Sequence, residues 1–204
     1  MVIKNGTTLG HRCFIPAGAG GLIDGRWCTS HFAPTLRRLP ADLAEDAVVC
    51  PQLLLCRQGQ VEIYFVPFDA VRPQAKVMIV GLTPGRHQMY LAVKTAAAAL
   101  RAGRSVNEAI HDAKNTGGFA SVMRTNLMSM LDGIGLNTAL GLATCGQLYS
   151  DRTDLASNTS AICHATFIRG KNYSGTPSID RVPILAAFAR QVLAANIDPD
   201  SSRV

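Results

Sequence analysis

Two stretches of apolar residues early in the chain have the length and composition of β-strands. Residues 48–55 and 61–66 are dominated by apolar and β-branched side chains, and the polar segment Arg57-Gln58-Gly59-Gln60 separates them. Such runs on either side of a short glycine-containing turn predict a β-hairpin. The preceding residues, 1–45, are rich in glycine and proline. They predict irregular structure with one short helix.

The clearest strand pattern covers residues 76–82. Val77-Met78-Ile79-Val80 is apolar without alternation, which is typical of a parallel strand covered on both faces. A glycine- and proline-containing loop, residues 81–85, follows directly. A second parallel strand is predicted over residues 160–167, and we interpret His164 within it as a structural side chain.

Helical spacing of apolar residues predicts helices over residues 88–102, 106–114, 119–134 and 182–195. Ser105 and Glu108 form a capping-box pattern at the start of the second helix. Strands alternating with helices favour an α/β protein with a parallel sheet flanked by helices. The length of 204 residues suits a single domain, in which residues 46–204 form the α/β core.

The composition favours a soluble globular protein. Apolar residues make up 48% of the chain and the mean hydropathy is +0.15, which argues against wholesale disorder. No apolar run approaches the roughly 18 residues of a membrane-spanning helix. The first residues lack the apolar stretch of a signal peptide. We therefore expect a cytoplasmic, monomeric protein without membrane contact.

Charge and cysteine content bear on partners and cofactors. The net charge of +6 and the pI near 9.2 favour contact with polyanions. The six cysteines contain no C-x-x-C pair, so reduced thiols are expected. A cluster held by Cys13, Cys28, Cys50 and Cys56 is the alternative, although their spacing matches no compact ligand pattern. No metal and no cofactor is predicted.

The loop at residues 81–85 is the main candidate site. Open α/β sheets bind ligands beyond the carboxyl ends of their strands, and this loop lies at such an end. Its glycines let the backbone approach a ligand, and Pro84 fixes the direction of the Thr83 side chain. The same sequence is also consistent with a turn that has only a structural role, or with a phosphate-binding turn.

The sequence from Val77, VMIVGLTPG, resembles the first motif of the uracil-DNA glycosylase superfamily, in which a buried strand leads into a Gly-x-(Asp/Asn/Ala)-Pro-(Gly/Tyr) loop. Residues 118–136, GFASVMRTNLMSMLDGIGL, resemble a segment of the iron–sulfur branch. There a Pro-Phe pair leads into a helix that ends in Met-Leu-x-x-Ile-Gly-Leu. A looser similarity covers residues 158–177, and the motifs keep the family's order over about 100 residues.

The resemblance implies a uracil-DNA-glycosylase-like α/β/α sandwich that binds DNA across the carboxyl edge of a central parallel sheet. Thr83 takes the place of the residue that positions water against the anomeric carbon. Phe119 takes the place of the aromatic that stacks on the extruded base, and Ser160, within a one-residue shift, that of the base-reading Asn. The implied base-binding residues are Gly81, Leu82, Pro84, Gly85, Phe119 and Ser160. The residues expected at DNA are His87, Lys171, Asn172 and Tyr173.

Three departures from the family pattern shape the prediction. Thr83 has no carboxylate and is a poor general base, so a narrower or altered base choice is expected. Cys163 falls near one family ligand position, but the other cluster cysteines are absent, so no iron–sulfur cluster is predicted. The chain contains no His-Pro-Ser loop and its core would lack the family's last strand. Either it is a fragment or its function differs from base excision.

The predicted function is that of a monofunctional DNA glycosylase acting on DNA that contains uracil or another modified base. Such an enzyme holds a flipped base by stacking and by hydrogen bonds to its polar edge. Two alternatives stay open: a nucleic-acid-binding module with a degenerate site, and a small-molecule enzyme or binder that uses the loop for a nucleotide phosphate. Repair and defence against modified phage DNA both fit the first prediction.

Overall fold

The computed structural model describes residues 28–69, 72 and 74–197, with side chains described as far as residue 190. The described part of the chain is α/β, with six α-helices, a four-stranded antiparallel sheet and a two-stranded parallel sheet. The helices are α1 Thr29–Arg38, α2 Arg86–Arg101, α3 Val106–Gly117, α4 Val122–Gly133, α5 Leu136–Ala139 and α6 Pro183–Ile197. The strands are β1 Leu54–Gln58, β2 Val61–Tyr64, β3 Val77–Gly81, β4 Ala156–Ser160, β5 Ala165–Ile168 and β6 Lys171–Asn172.

The predicted hairpin is present as β1 and β2, which pair antiparallel from Leu54 opposite Tyr64 to Gln58 opposite Val61. The first strand begins later than predicted, because the residues before it form two 3-10 turns, Asp46–Val48 and Pro51–Leu53. Proline has no N–H for a strand ladder but suits the first position of a helical turn. The hairpin continues into β5 and β6 and completes the antiparallel sheet.

The parallel sheet consists of β3 and β4, in register from Val77 opposite Ala156 to Gly81 opposite Ser160. The prediction of a parallel strand over residues 160–167 is therefore wrong in position. The parallel partner of β3 lies earlier in the chain, and β5 instead pairs antiparallel with β2. Ser157, Asn158 and Thr159 explain the error, because they are buried although polar. The pattern of apolar residues therefore cannot reveal a strand whose buried side chains are polar.

β3 is covered on one face in the described part of the chain, whereas the sequence predicted cover on both. Ile79 is buried, but Met78 and Val80 are 37% and 47% exposed. Ile79 belongs to a small core with Met128 of α4 and Leu155. An apolar run without alternation thus marks here a strand with one buried face.

The helices around α2 form the main core. Alanines at positions 92, 96, 97 and 99 of α2 are buried, and small side chains let a neighbouring helix approach closely. The predicted capping box at the start of α3 is confirmed, since the Glu108 N–H donates to Ser105 Oγ at 3.3 Å and the Ser105 N–H donates to Glu108 Oε2 at 3.0 Å. α2 and α3 therefore pack closely together, in one core with residues of the antiparallel sheet.

α4 packs less of its apolar surface than its sequence predicts. Met128 is buried and Leu127 and Leu131 pack against the small core. Val122, Met130 and Ile134 are 70%, 69% and 78% exposed. The helix thus uses only part of its apolar side chains to hold the parallel sheet. In the part of the chain with a described structure, no helix is both long enough and apolar enough to cross a lipid bilayer.

Candidate functional site

A cavity of about 220 Å³ opens at the carboxyl ends of β3 and β4. This volume is below the ~300–1,000 Å³ of pockets for drug-sized ligands, so it suits a single ring system. Its walls come from the loop after β3, the end of α3, the α3–α4 connection and the end of β4. The lining residues are Phe68, Gly81, Leu82, Thr83, Pro84, Gln88, Lys114, Gly118, Phe119, Met123, Asn158, Thr159, Ser160 and Tyr173.

Gly81 is the point at which three predicted site residues converge. A Cβ at this position would lie 3.3 Å from Phe119 Cζ and 3.3 Å from Ser160 Oγ. The absence of a side chain therefore lets the loop, the aromatic ring and the end of β4 meet. The loop is also tied to the chain after β4, because the Ala161 N–H donates to the Gly81 carbonyl at 2.8 Å and the Ile162 N–H donates to the Leu82 carbonyl at 3.0 Å.

The Thr83 hydroxyl has a fixed orientation. Its Oγ1 donates a hydrogen bond to the backbone carbonyl of His164 at 2.7 Å. The proton is thereby directed away from a ligand, and the oxygen keeps lone pairs that can accept a hydrogen bond from water. Thr83 is suited to hold a water molecule and unsuited to take a proton from it.

His164 is a structural side chain, as interpreted from the sequence. Its Nδ1 accepts a hydrogen bond from the Val66 N–H at 3.3 Å, and its ring lies near those of Phe65 and Phe188. Burial lowers the pKa of His164 to about 3, because an apolar environment disfavours the charged imidazolium. His164 thus contributes its carbonyl to the site and no charge.

Phe119 sits on a strained turn. Its φ is +50° and that of Ser121 is +65°, a region that residues with a side chain rarely adopt and that clusters at functional sites. Arg124 holds this turn in place, since its Nη2 donates to the carbonyls of Asn115 at 2.7 Å and Gly118 at 2.6 Å. Its guanidinium also lies 4.3 Å from the centre of the Tyr149 ring. The Phe119 ring is therefore presented at the cavity by a supported backbone.

Asn158 lines the cavity, although the sequence did not predict it as a site residue. It is 4% exposed, and its Oδ1 has no hydrogen-bond partner among the described residues. A buried acceptor left unsatisfied costs about 1–3 kcal/mol. The neighbouring Tyr149 hydroxyl interacts with the Asn158 side chain, and burial raises the pKa of Tyr149 to about 12. The Asn158 side chain thus lies between Tyr149 and the cavity, with an oxygen that has no hydrogen-bond partner among the described residues.

The predicted residue Ser160 lies two positions after Asn158 on β4. Side chains two apart on a strand point to the same face, so both residues face the cavity from the same side. Ser160 is partly exposed at its rim, and Asn158 lies deeper. The sequence feature that indicates Asn158 is its side-chain amide, two residues before Ser160 in a polar strand.

Lys114 is a second cavity-lining residue that the sequence did not predict. It lies in the last turn of α3 and is 4% exposed. Burial lowers the pKa of Lys114 from 10.5 to about 8, Cys163 and Asp69 oppose this effect, and Arg72 adds to it. A basic residue near a helix C-terminus usually has a structural explanation. The sequence therefore carried no signal for its burial.

The four residues expected at DNA have different surroundings. Lys171 is exposed. His87 is 47% exposed, and its ring bonds Glu45 Oε2 at 2.9 Å and Ser121 Oγ at 3.1 Å. Asn172 accepts the Arg86 N–H at 3.0 Å and so caps α2. Tyr173 is buried in the cavity wall, where its hydroxyl donates to the Pro177 carbonyl at 2.5 Å.

Metal ligands were not expected, and within the described residues no three His, Cys, Asp or Glu side chains come together to hold a metal ion. Cys13, one member of the alternative cysteine cluster, lies outside those residues. Of the predicted site residues, those that line one cavity are Gly81, Leu82, Thr83, Pro84, Phe119, Ser160 and Tyr173. Those that lie outside its lining are Gly85, which precedes α2, and His87, Lys171 and Asn172.

No protein-family model matches the chain, and no solved structure matches it. The chain is similar to the uncharacterized protein YoxB of Bacillus subtilis (strain 168), with 34% identity over 170 residues. The alignment covers 82% of this chain and 66% of YoxB, so the chain spans slightly less than two thirds of that relative's length. Because YoxB is uncharacterized, a function for this chain has to be argued from the cavity itself.

Proposed function

We propose that the chain is a DNA glycosylase of the uracil-DNA-glycosylase type, which hydrolyses the N-glycosidic bond of uracil or another modified base. The observation that carries the proposal is the pairing, at one cavity, of the Phe119 ring with the unpartnered amide oxygen of Asn158. An extruded base needs an aromatic face for stacking and polar groups for its edge. In this proposal the parallel pair of β3 and β4 is part of the family's central sheet.

The proposed roles divide between the two sides of the cavity. Phe119 stacks on the base, and Asn158 accepts a hydrogen bond from its polar edge, with Ser160 at the rim. In this proposal Asn158 reads the base, the role that the resemblance implied for Ser160. Ser160 lies two residues after Asn158 on the same face of β4. The volume of about 220 Å³ limits the ligand to the base itself, so the sugar and its phosphates stay outside.

Thr83 is proposed to hold the attacking water. Cleavage of a glycosidic bond develops positive charge on the sugar, so a correctly placed water is sufficient and a strong base is not required. The Thr83 oxygen can accept a hydrogen bond from that water while its proton remains on the His164 carbonyl. This arrangement predicts slow but selective chemistry, in line with the absence of a carboxylate at position 83.

The proposed partner is DNA that carries the modified base, bound by a monomer without metal or cofactor. The net charge of +6 favours association with a polyanion. Lys171 is exposed and begins β6, the strand after β5. His164, the residue before β5, accepts the Thr83 hydrogen bond through its backbone carbonyl. Lys171 is proposed to contact a phosphate next to the extruded nucleotide. Repair and defence against modified phage DNA are both compatible with this chemistry.

The test is an excision assay on labelled single- and double-stranded oligonucleotides that carry uracil, hypoxanthine or bulky modified pyrimidines. Alkali then cleaves the abasic sites. We expect abasic product from at least one substrate, and much less of it with Phe119→Ala. Met130→Ala is the matched control, because Met130 is an apolar side chain on α4 that is 69% exposed. Binding without product from any substrate would instead indicate a nucleic-acid-binding module.

A further inference from the structure

We propose that Ser121, His87 and Glu45 form a nucleophile–base–carboxylate triad that hydrolyses carboxylic esters with a small apolar acyl group. The observation behind it is a histidine ring held between a serine hydroxyl and a carboxylate. None of the three side chains lines the cavity at β3 and β4, so this activity is additional to the proposed excision and does not depend on it.

The His87 ring has one partner at each of its nitrogens. Nδ1 lies 2.9 Å from Glu45 Oε2, and Nε2 lies 3.1 Å from Ser121 Oγ. Both distances fall within the roughly 2.6–3.2 Å that proton transfer and its orientation require. A carboxylate only accepts hydrogen bonds, so Nδ1 carries the ring proton and Nε2 accepts the serine hydroxyl. This is the tautomer in which a histidine acts as a general base.

Three separate parts of the chain supply these side chains. Glu45 precedes the 3-10 turn Asp46–Val48, His87 lies in the first turn of α2, and Ser121 is the N-cap of α4. The chain order is thus carboxylate, base, nucleophile. Triads on unrelated folds share their geometry and differ in chain order, so sequence order neither supports nor opposes this one.

Ser121 has a backbone conformation that residues with a side chain rarely adopt. Its φ is +65° and its ψ is −145°, and such strain clusters at functional sites. A serine at an N-cap normally has an extended backbone and bonds a helix N–H through its side chain. Ser121 makes no such bond. Its hydroxyl is directed to His87 instead, which a capping role does not explain.

The turn at Ser121 resembles a nucleophile elbow in conformation and differs from it in sequence. In such an elbow a strained turn exposes a serine hydroxyl at the start of a helix, and Ser121 is exposed at the start of α4. Residues 119–123, FASVM, lack the glycines of the G-x-S-x-G motif. The turn also joins two helices, where an elbow joins a strand to a helix.

The start of α4 is suited to stabilise the oxyanion that forms during acyl transfer. The N–H groups of Val122 and Met123 are the first two of this helix, and the first four N–H groups of an α-helix have no partner within it. They follow Ser121 directly, as does one of the oxyanion-binding N–H groups in serine hydrolases. The positive end of the helix dipole adds to the effect.

The surroundings of Ser121 favour a neutral substrate with an apolar acyl group. Val122 and Met123 are 70% and 55% exposed, so an acyl chain bound against them removes apolar surface from water. The charged residues next to the triad in sequence, Arg86 and Asp46, form an ion pair at 3.1 Å. Their charges compensate each other, so they do not select a charged substrate.

The reaction proceeds in two balanced halves. Ser121 Oγ attacks the carbonyl carbon while its proton moves to His87 Nε2; the bond to the leaving alcohol then breaks, and the alcohol takes that proton. Water attacks the acyl-serine in turn and gives a proton to His87, the bond to Oγ breaks, and the proton returns to Oγ. One ester and one water thus become a carboxylic acid and an alcohol.

Covalent labelling tests the nucleophile. A fluorophosphonate probe bonds an activated serine through phosphorus and releases fluoride. We expect one probe per wild-type chain by intact mass, located at Ser121 by peptide mapping, and none on Ser121→Ala. Ser150→Ala is the matched control and should be labelled like the wild type, because Ser150 is exposed and bonds the Asp151 carboxylate. An unlabelled wild type, or a probe on another residue, would overturn the proposal.

Hydrolysis of p-nitrophenyl butyrate tests the reaction. The assay contains no DNA, so its failure and a failure of the excision assay are separate results. We expect Ser121→Ala and His87→Gln to lower kcat/KM by roughly 10³-fold or more, with unchanged circular-dichroism melting because both side chains are exposed. His111→Gln, a change at another exposed histidine, should retain the wild-type rate. A wild-type rate in Ser121→Ala would refute the triad.

Glu45 is a positioning residue, since it acts through the His87 ring. We expect Glu45→Gln to lower kcat for p-nitrophenyl butyrate about 100-fold or more with KM little changed, and Glu45→Asp to restore part of the loss. Asp46→Asn is the control for charge alone, because Asp46 is the adjacent carboxylate and pairs with Arg86. Equal losses of kcat in Glu45→Gln and Asp46→Asn would overturn the positioning role.

Discussion

Lys114→Met is expected to stabilise the protein at neutral pH, because it removes a charge from a buried position. The drop in the pKa of Lys114 from 10.5 to about 8 measures how strongly the folded state disfavours the ammonium. At 1.36 kcal/mol per pH unit this corresponds to about 3 kcal/mol. Methionine fills a similar volume with an unbranched apolar chain, so the packing at the end of α3 should be kept.

The gain should depend on pH in a defined direction. Below pH 8 Lys114 is protonated in both the folded and the unfolded chain, so the full cost of burying the charge is present. Between pH 8 and 10.5 the folded protein loses this proton while the unfolded chain keeps it, and the stability of the wild type therefore rises with pH. Above pH 10.5 the cost has vanished. The advantage of Lys114→Met should thus shrink from about 3 kcal/mol at pH 7 to near zero.

Urea unfolding followed by far-ultraviolet circular dichroism at pH 7 and pH 10 measures this difference. A change in the urea midpoint, with the dependence of the unfolding free energy on urea unchanged, reports a change in stability. The contributions of other titrating groups are the same in wild type and variant, so they cancel in the difference. Lys94→Met should show little change at either pH, since Lys94 is exposed. A variant less stable than the wild type at pH 7, or a gain that does not change with pH, would refute the reasoning.

Three further substitutions separate the site from the fold. Phe119→Ala should lower excision roughly 10- to 100-fold, the usual value of stacking on one base, with non-specific DNA affinity unchanged by gel shift; equal losses of both would make Phe119 a core residue. Asn158→Ala should abolish base reading and lower the melting temperature only slightly, because the Oδ1 has no partner in the described structure and the side chain interacts only with Tyr149 there; a large loss of stability would contradict that role. Gly81→Ala should displace Phe119 and Ser160, since its Cβ would lie 3.3 Å from each, and excision should fall. Gly133→Ala is its control, with no atom within 4 Å of the new Cβ, and an equal effect of the two substitutions would argue against the contact.

Local patterns predicted the elements whose apolar residues point into a core. The hairpin, β3, α2 and α3 follow from periodicity, turn residues and a capping box. β4 was placed too late because Ser157, Asn158 and Thr159 are buried polar residues. Their burial is decided by tertiary contacts with β3, which periodicity cannot report. The exposed side chains of α4 show the converse, since an apolar residue in a helix carries no information about whether a neighbour covers it.

The site was predicted in part for the same reason. The loop at residues 81–85 follows a strand that periodicity predicts, and the motif order places Phe119 between two predicted helices, so both could be proposed as lining the site. Asn158 and Lys114 could not, because a single amide in a polar strand and a lysine in a last helical turn look ordinary in sequence. Their significance arises only from burial next to a cavity. The sequence thus predicted the backbone positions of the cavity lining better than its two buried polar side chains, Lys114 and Asn158.

The hydrogen bond from Thr83 to the His164 carbonyl has a consequence for how freely position 164 can vary. The anchor is a backbone group, so it has no pKa in the range of water and does not depend on which side chain residue 164 carries. Leucine or phenylalanine at this position would leave the hydroxyl oriented as before, provided that Val66 finds another acceptor. The orientation of the Thr83 hydroxyl, the proposed water-holding group, therefore does not depend on the protonation of its acceptor or on the identity of side chain 164.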